Sequence, residues 1–542
     1  MKPSSQIPLL VALLSLNLIP IATALAQVSP KSLESLVIQE GGRKKPYLVF
    51  TEETLRSLSG KTALNMDGQK QDAMTVITGF WMSPDDSWKA KQLILVSNLP
   101  LRKHLSLEPA RKLYSWNELT SNDALSKEIT ATAEIRRRDP RAKLVGLQKE
   151  ASDVGMRMGL FESLLKGDDF KIIAPLSGSD WLTTAQLDPT EGKDIIDSVH
   201  SMRSAWTHLD PSRFDEAATS LLGLQKQVGG LPSDWKISLE VVYQKAHPFR
   251  WAWILYAAAG IVLLLSRNSW ERRGYQLAWV LAGSGFLIQA AGLLSRVLIA
   301  GRPPVTNMYE SVIWVAFGTI LFALIFETIY RAGSFLLGAV PVAVASLILA
   351  DSQPVILDHS IHPLTPVLRD NFWLSTHVLS ITLSYAAFAL SLGVAHVALA
   401  QIIAGRKPTA ILYTYLYKTL QVGVLLLTTG TILGGVWANY SWGRFWDWDP
   451  KETWALTALL GYLFLLHGRI SGLWGGFGLA VGSVIAFMSV LMAWYGVNFV
   501  LGAGLHSYGF GTGGFPLVAT FVGCELLYVA IAFWKKQRLG SA

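Results

Sequence analysis

The chain of 542 residues reads as an all-α polytopic membrane protein, with about nine transmembrane helices after a signal peptide and an N-terminal, mainly helical soluble domain. Three observations predict this. Hydrophobic residues make up 51% of the chain and charged residues only 16%, the balance of a membrane protein that carries a substantial soluble part. From Phe249 onward, apolar segments recur at about 250–266, 276–298, 311–330, 334–350, 374–403, 419–436, 455–470, 476–497 and 515–534, each near the length that crosses hydrocarbon. A span must be helical, because only a helix satisfies its own backbone polar groups in lipid.

The N-terminus combines Lys2, an apolar run and the small-residue pattern Ala24-Leu25-Ala26. Residues 1–26 therefore fit a signal peptide, and their length also suits an uncleaved anchor. Either one sends residues 27–248 across the membrane. That region is polar, with helix-like stretches such as DALSKEITATAEIRRRD and SRFDEAATSLLGLQKQ. The run QLILVS has the look of a strand. The region holds no metal-ligand spacing, phosphate loop or catalytic triad, and His200 and His208 read as ordinary histidines.

Net charge is +8, but the basic residues sit in short loops rather than in a nucleic-acid patch. Arg267, Arg272, Arg273, Arg331, Arg406, Lys407, Lys418, Arg469, Lys535, Lys536 and Arg538 fall in alternate loops and at the C-terminus. The positive-inside rule makes that side cytoplasmic. It places the 27–248 domain outside, in agreement with the leader. The lone Cys524 excludes an internal disulfide or a CxxC centre. Thiol or redox chemistry then needs a cofactor or a partner.

This topology brings four features of the 249–542 region to the outer edge. They are TNMYES (Thr306 to Ser311), the loop DHSIHPLTPVLRDNFW leading to His377, the tryptophan-rich stretch 437–454, and GLHSYGFG around His506. His396 and His467 fall near the cytoplasmic ends of their helices. An aromatic belt spreads tryptophans around a protein, whereas Trp437, Trp442, Trp446, Trp448 and Trp454 crowd one connection. On a helix, Trp442, Trp446 and Asp449 would share a face suited to a flat conjugated ligand. Asp449-Pro450-Lys451-Glu452 also reads as a helix start with a capping box. His377 and His506 lie at one level on either side of the tryptophans. Neutral imidazole is an axial ligand of haem iron, and such a pair would hold the metal from both sides. No cysteine or clustered carboxylate completes a tetrahedral zinc set.

WGRFWDWDPKETW closely resembles the tryptophan-rich WWD signature of the cytochrome c assembly proteins. TNMYES, the histidine in LSTHVLSITLSYAAF, LLHGRI and GLHSYGF follow in that family's order, and the overall resemblance is to the CcsA (ResC) type of system II. It covers about Ala252 to Phe533. The segment GGRKKPYLVFTEETLRSLSGK is similar to an extracytoplasmic extension on longer members. The resemblance implies a bacterial inner-membrane protein that carries b-type haem outward and presents it, ferrous, to the CxxCH segment of apocytochrome c. Its role would be as part of a holocytochrome c synthase, or as a haem exporter or chaperone whose partner ligates. It implies His377 and His506 as outer axial ligands. Trp442, Gly443, Trp446, Trp448 and Asp449, within the stretch from Trp442 to Glu452, would contact the haem. His467 would be a deep ligand, whose second ligand comes from a CcsB (ResB)-like partner or from His396. Arg302, Arg369, Arg444 and Lys451 are candidate cations for the haem propionates.

Overall fold

The computed structural model of the protein describes residues 28–540 except 67, 140–141, 143, 145, 176–179, 267–270, 353–356, 365–369 and 502–513. The leader, Arg369 and His506 lie outside the described residues.

The soluble region opens with the antiparallel hairpin Val37–Glu40/Arg43–Pro46. Its two-residue turn is Gly41-Gly42, with φ of 58° and 76°, the left-handed pair that a tight hairpin with native twist requires. Helix Tyr47–Ser59 follows. The same hairpin-then-helix unit recurs at Ala63–Met66/Gln69–Asp72 and Ala73–Met82. A third hairpin pairs Gln92–Leu95 with Leu113–Ser115, so the strand expected in QLILVS is present. Helices Asp123–Arg138, Gly146–Lys166, Lys193–Thr207 and Pro211–Val228 complete the layer. They close over an aromatic core in which Trp81 stacks on Phe170 at 5.0 Å and Phe80 on Trp88 at 4.1 Å. Buried Gln225 joins the first hairpin to the last of these helices. Its amide accepts from Val37 N (3.0 Å) and donates to Val37 O (2.7 Å).

Among the described residues, nine helices are long and apolar enough to cross a membrane: Asp234–Leu265, Glu271–Ala300, Met308–Tyr330, Ser334–Ser352, Leu374–Ile403, Ala410–Trp442, Pro450–Ile470, Gly476–Leu501 and Phe515–Arg538. Each coincides with one of the expected apolar segments. The first begins in the soluble domain and bends at His247, whose φ is 43°. The fifth is the hub, with 72% of its apolar stretch buried, and the ninth is peripheral at 11%. Without lipid-excluding hydrophobicity to drive them together, such helices pack through small residues and close backbone approach. A Cβ on Gly393 of the fifth helix would overlap the Gly338 carbonyl of the fourth. On another face of the same helix, Phe388 stacks on Tyr462 at 3.6 Å.

At the end of the bundle facing the soluble domain, one carboxylate organises the chain. Glu310, on the first turn of the third helix, receives Arg296 Nη2 at 2.8 Å and Arg302 Nη1 at 3.1 Å. It also accepts from Thr306 N (2.9 Å) and Thr306 Oγ1 (2.7 Å). Arg296 further donates to His359 O (2.9 Å) and to Tyr243 Oη (3.2 Å) in the soluble helix Asp234–Ala246. Arg302 donates to His362 O at 3.0 Å. Arg296 and Glu310 are each 1% exposed, so this triad is shielded from water.

The loop it holds contains His359, whose ring lies 5.6 Å from that of Tyr309. Burial, reinforced by the Arg56 and Arg296 guanidiniums against Asp358 and Asp351, pushes this imidazole down to about 3.

Two outcomes are expected. Glu310→Ala leaves two buried guanidiniums without their anion, so thermal unfolding of the purified protein should register a loss of about 3–5 kcal/mol. His359 is neutral in the folded state, and the unfolded chain takes up the proton that the folded chain refuses. Its contribution is complete above the ordinary histidine value of about 6.5 and is lost as pH falls toward about 3. Protection against hydrogen exchange in residues 357–364, taken relative to the intrinsic exchange rate at each pH, should fall on acidification through that window, and less steeply in His359→Phe.

Candidate functional site

Five span ends meet beneath the soluble domain around a cleft of about 1190 Å³, its open mouth included. The third helix contributes its lead-in Val305–Met308, the fifth His377, the sixth Gly434, Trp437 and Trp442, the seventh Lys451 and Glu452, and the eighth Trp494 and Asn498. Trp446 closes one side from the loop between the sixth and seventh helices. The wall is mainly apolar and aromatic, with a few polar groups, the usual make-up of a small-molecule site.

His377 sits in a π-helical turn, Leu374–Val378, at the start of the fifth helix. Such turns re-aim side chains and occur often at functional sites. Its Nδ1 lies 2.7 Å from Gly430 O. A carbonyl can only accept, so Nδ1 carries a proton; when the ring is neutral, Nε2 is the nitrogen that bears the lone pair. A backbone carbonyl that fixes the tautomer is the arrangement found behind metal-bound histidines. Trp437 packs edge-on against the ring at 5.7 Å. Gly434, one turn from Gly430, makes the room: a Cβ there would lie 2.5 Å from His377 Cε1.

The tryptophan stretch is not one helical face, which corrects the expected alignment of Trp442, Trp446 and Asp449. The sixth helix stops at Trp442, because Gly443 takes the left-handed conformation (φ 72°) as its C-cap. Trp442 and Trp446 still reach the same cleft, now from a helix end and a loop. Trp448 does not line it. That ring is 69% exposed and edge-on to Trp446 at 5.9 Å, on a backbone with φ of 58°. Asp449 is buried and caps the seventh helix. Its Oδ1 accepts from Lys451 N at 2.9 Å, and Glu452 Oε2 accepts from Asp449 N at 3.3 Å and Asp447 N at 2.9 Å. The capping box read from DPKE is therefore present.

The remaining histidines separate. His467 lies on the seventh helix 16 residues beyond Lys451, about 24 Å along the axis at 1.5 Å per residue. It is exposed on the flank of the bundle, with Nδ1 bonded to Leu463 O at 2.7 Å. His396 faces inward. Its Nε2 pairs with Glu525 at 2.9 Å, its Nδ1 bonds Leu392 O at 2.8 Å, and its ring stacks on Tyr528 at 4.9 Å. Both nitrogens are engaged in holding the ninth helix on the fifth, so in this structure His396 offers no lone pair to iron. His506 is outside the described residues.

Of the candidate cations, Arg302 belongs to the Glu310 triad and Arg444 is paired with Asp447. Lys451 faces the cleft. Sequence reading missed Gly430, Gly434, Trp494, Asn498 and the role of Glu310. The small-xxx-small spacing of Gly430 and Gly434, and one Asn in the apolar run MAWYGVNFV, are the signals that mark three of them.

Comparison with known proteins fits this arrangement. The family model described as cytochrome C assembly protein matches residues 305–506, which contain every wall of the cleft. The chain is 33% identical over 296 residues to the cytochrome c biogenesis protein CcsA of Synechococcus sp. (strain CC9605), covering 94% of that protein and 46% of this chain. It is 34% identical over 244 residues to CcsA of Guillardia theta, covering 79% of that protein and 40% of this chain. It is 29% identical over 526 residues to protein NrfI of Wolinella succinogenes, across 89% of this chain. The chain spans 55% of the length of NrfI. These relatives, with the nine apolar helices, mark a multi-pass membrane protein of cytochrome c biogenesis. The chain belongs to the cytochrome c assembly protein family, as a CcsA-type member with an N-terminal extension.

The glycine that admits the imidazole can be tested directly. Gly434→Ala should displace His377 and cost about 1–3 kcal/mol in thermal unfolding. Gly461→Ala is the control: its Cβ meets nothing within 4 Å, and it should be neutral or stabilise by about 0.5–1 kcal/mol.

Proposed function

We propose that the protein is the haem-handling subunit of a cytochrome c synthase. In this reading it takes b-type haem to the outer membrane face and presents it to the CxxCH segment of apocytochrome c. The observation that carries the reading is the cleft in which His377, its tautomer set by Gly430 O, stands beside Trp437, Trp442 and Trp446. The names of the CcsA relatives, cytochrome c biogenesis proteins, support it. So does the loop charge pattern, which puts the cleft and the soluble domain outside and the C-terminus in the cytoplasm.

The residues fit a porphyrin. Haem supplies an iron that takes imidazole and two vinyl groups to which thiols add. His377 offers Nε2 to the metal, and His506 is the second outer ligand in this proposal. The indole walls exclude water and fix the in-plane orientation, so that each cysteine S–H adds across a vinyl, sulfur to one carbon and hydrogen to the other. No oxidant is consumed, and reduced thiols with ferrous iron are required. The chain's own contribution is positioning.

His467 serves a deep site on the route from the cytoplasm. Its exposure on the bundle flank supports a second ligand from a CcsB-like membrane partner rather than from His396, whose nitrogens are engaged. The soluble domain, joined through Tyr243 and Arg296 to the Glu310 triad beside the cleft, serves to dock apocytochrome, to contact the membrane partner or to shield the haem.

Absorption spectra of the full chain, purified from haem-replete cells with and without its membrane partner, test this. His377→Ala and His506→Ala should each lose the outer-site Soret signal and the c-type product, and His467→Ala should lose a separate signal. Full cytochrome maturation by His377→Ala would overturn the assignment. Haem retained without thioether formation, when reduced apocytochrome is supplied, would reduce the role to export.

A further inference from the structure

Two hydrogen-bond donors at the cleft are short of partners among the described residues. Lys451 projects into it from the first turn of the seventh helix. Its ammonium has one hydrogen bond among the described residues, a long one of 3.4 Å to Asn498 Oδ1, and no ion pair. The nearby carboxylates are committed elsewhere. Asp449 turns an oxygen to the Lys451 backbone N–H, and Glu452 caps Asp447 and Asp449. Trp494, on the eighth helix, lines the same cleft, and its indole Nε1 is buried with no acceptor among the described residues.

Asn498 ties the two together. It lies one turn after Trp494, and its Nδ2 donates to Trp494 O at 2.7 Å and contacts Met308 Sδ at 3.7 Å. Those contacts turn Oδ1 toward Lys451. A part-buried ammonium with no ion pair and a buried N–H without an acceptor among the described residues are both costly unless a ligand completes them. The other two described candidate cations, Arg302 and Arg444, already have carboxylates, Glu310 and Asp447.

We propose that Lys451, oriented by Asn498, and the Trp494 indole form a carboxylate-binding corner of the cleft that receives the propionate edge of haem. This rests on the haem reading above and deepens it. A carboxylate supplies the missing charge to Lys451 and an acceptor to Trp494. Fixing that edge fixes the rotation of the ring in its own plane, and with it which vinyl meets which thiol. Lys451 and Trp494 are therefore positioning residues.

The test compares haem with haem dimethyl ester, which keeps the iron and vinyls but has no carboxylates. Each is titrated by absorption into the full chain in nanodiscs. The unsubstituted protein should bind haem about tenfold or more tightly than the ester, as expected for a hydrogen bond to a charged group. Lys451→Met should abolish that preference by weakening haem alone. Lys451→Arg should restore most of it, and Trp494→Phe should reduce it. Unchanged ester affinity in the Met variant shows that the fold is intact. Equal affinity of the unsubstituted protein for both ligands, or equal weakening of both by Lys451→Met, overturns the corner while leaving the haem site standing. Binding of neither ligand by the unsubstituted protein overturns the haem reading and this inference with it.

Discussion

The cleft end of this protein depends on one buried carboxylate, Glu310, held between Arg296 and Arg302. Removing three charges from water is expensive, and their attraction offsets that cost only when geometry and hydrogen bonding are complete. Here the completing partners come from far apart in the chain: Thr306 beside the cleft, the backbone at His359 and His362, and Tyr243 in the soluble domain. The second and third helices, the loop before the fifth and the last soluble helix are therefore satisfied together. The lead-in Val305–Met308 that lines the cleft is one of the segments this arrangement fixes.

The cleft itself is built by close approach. The fifth and sixth helices meet where Gly430 and Gly434 carry no side chain, so the Gly430 carbonyl reaches the imidazole and the ring of His377 occupies the space at Gly434. The Asp449 capping box then starts the seventh helix so that Lys451 points into the same space. Imidazole, aromatic walls and a cation come from separate helices, with His377 held by a backbone carbonyl and Lys451 directed by Asn498. That rigidity is what a site needs if it is to orient a planar ligand at the membrane boundary.

Much of the membrane half was legible in the sequence because its signals are local. Span length and apolarity sufficed for the nine helices, and Asp449, Pro450 and Glu452 sufficed for a helix start. The first two hairpins of the soluble domain were not legible, although QLILVS marked a strand of the third. GGRKKP and MDGQKQD carry charge where an alternating apolar pattern would reveal strands, and the first hairpin is tied down by Gln225, remote in sequence. Trp442 and Trp446 were read as neighbours on a helix. They are neighbours through a chain reversal, which Gly443 permits and spacing alone does not reveal. His396 resembled His467 in depth and hydropathy, yet Glu525 and Tyr528, more than 120 positions further along, give it a packing role.

By itself, then, the sequence determined the class of the protein, the positions of its spans and the cluster of aromatic and imidazole groups at one end. Those follow from hydropathy, loop charge and capping, which act over a turn or two of helix. Only the tertiary structure decided which cation serves the cleft, which histidine is spent on packing, and how His377 is oriented. Each of those choices is set by a partner on another helix: a carboxylate that neutralises Arg302 or Arg444, a Glu525 that engages His396, a Gly430 carbonyl that fixes a tautomer. Charge neutralisation and hydrogen-bond satisfaction are properties of contacts in space, and the order of residues along the chain does not carry them.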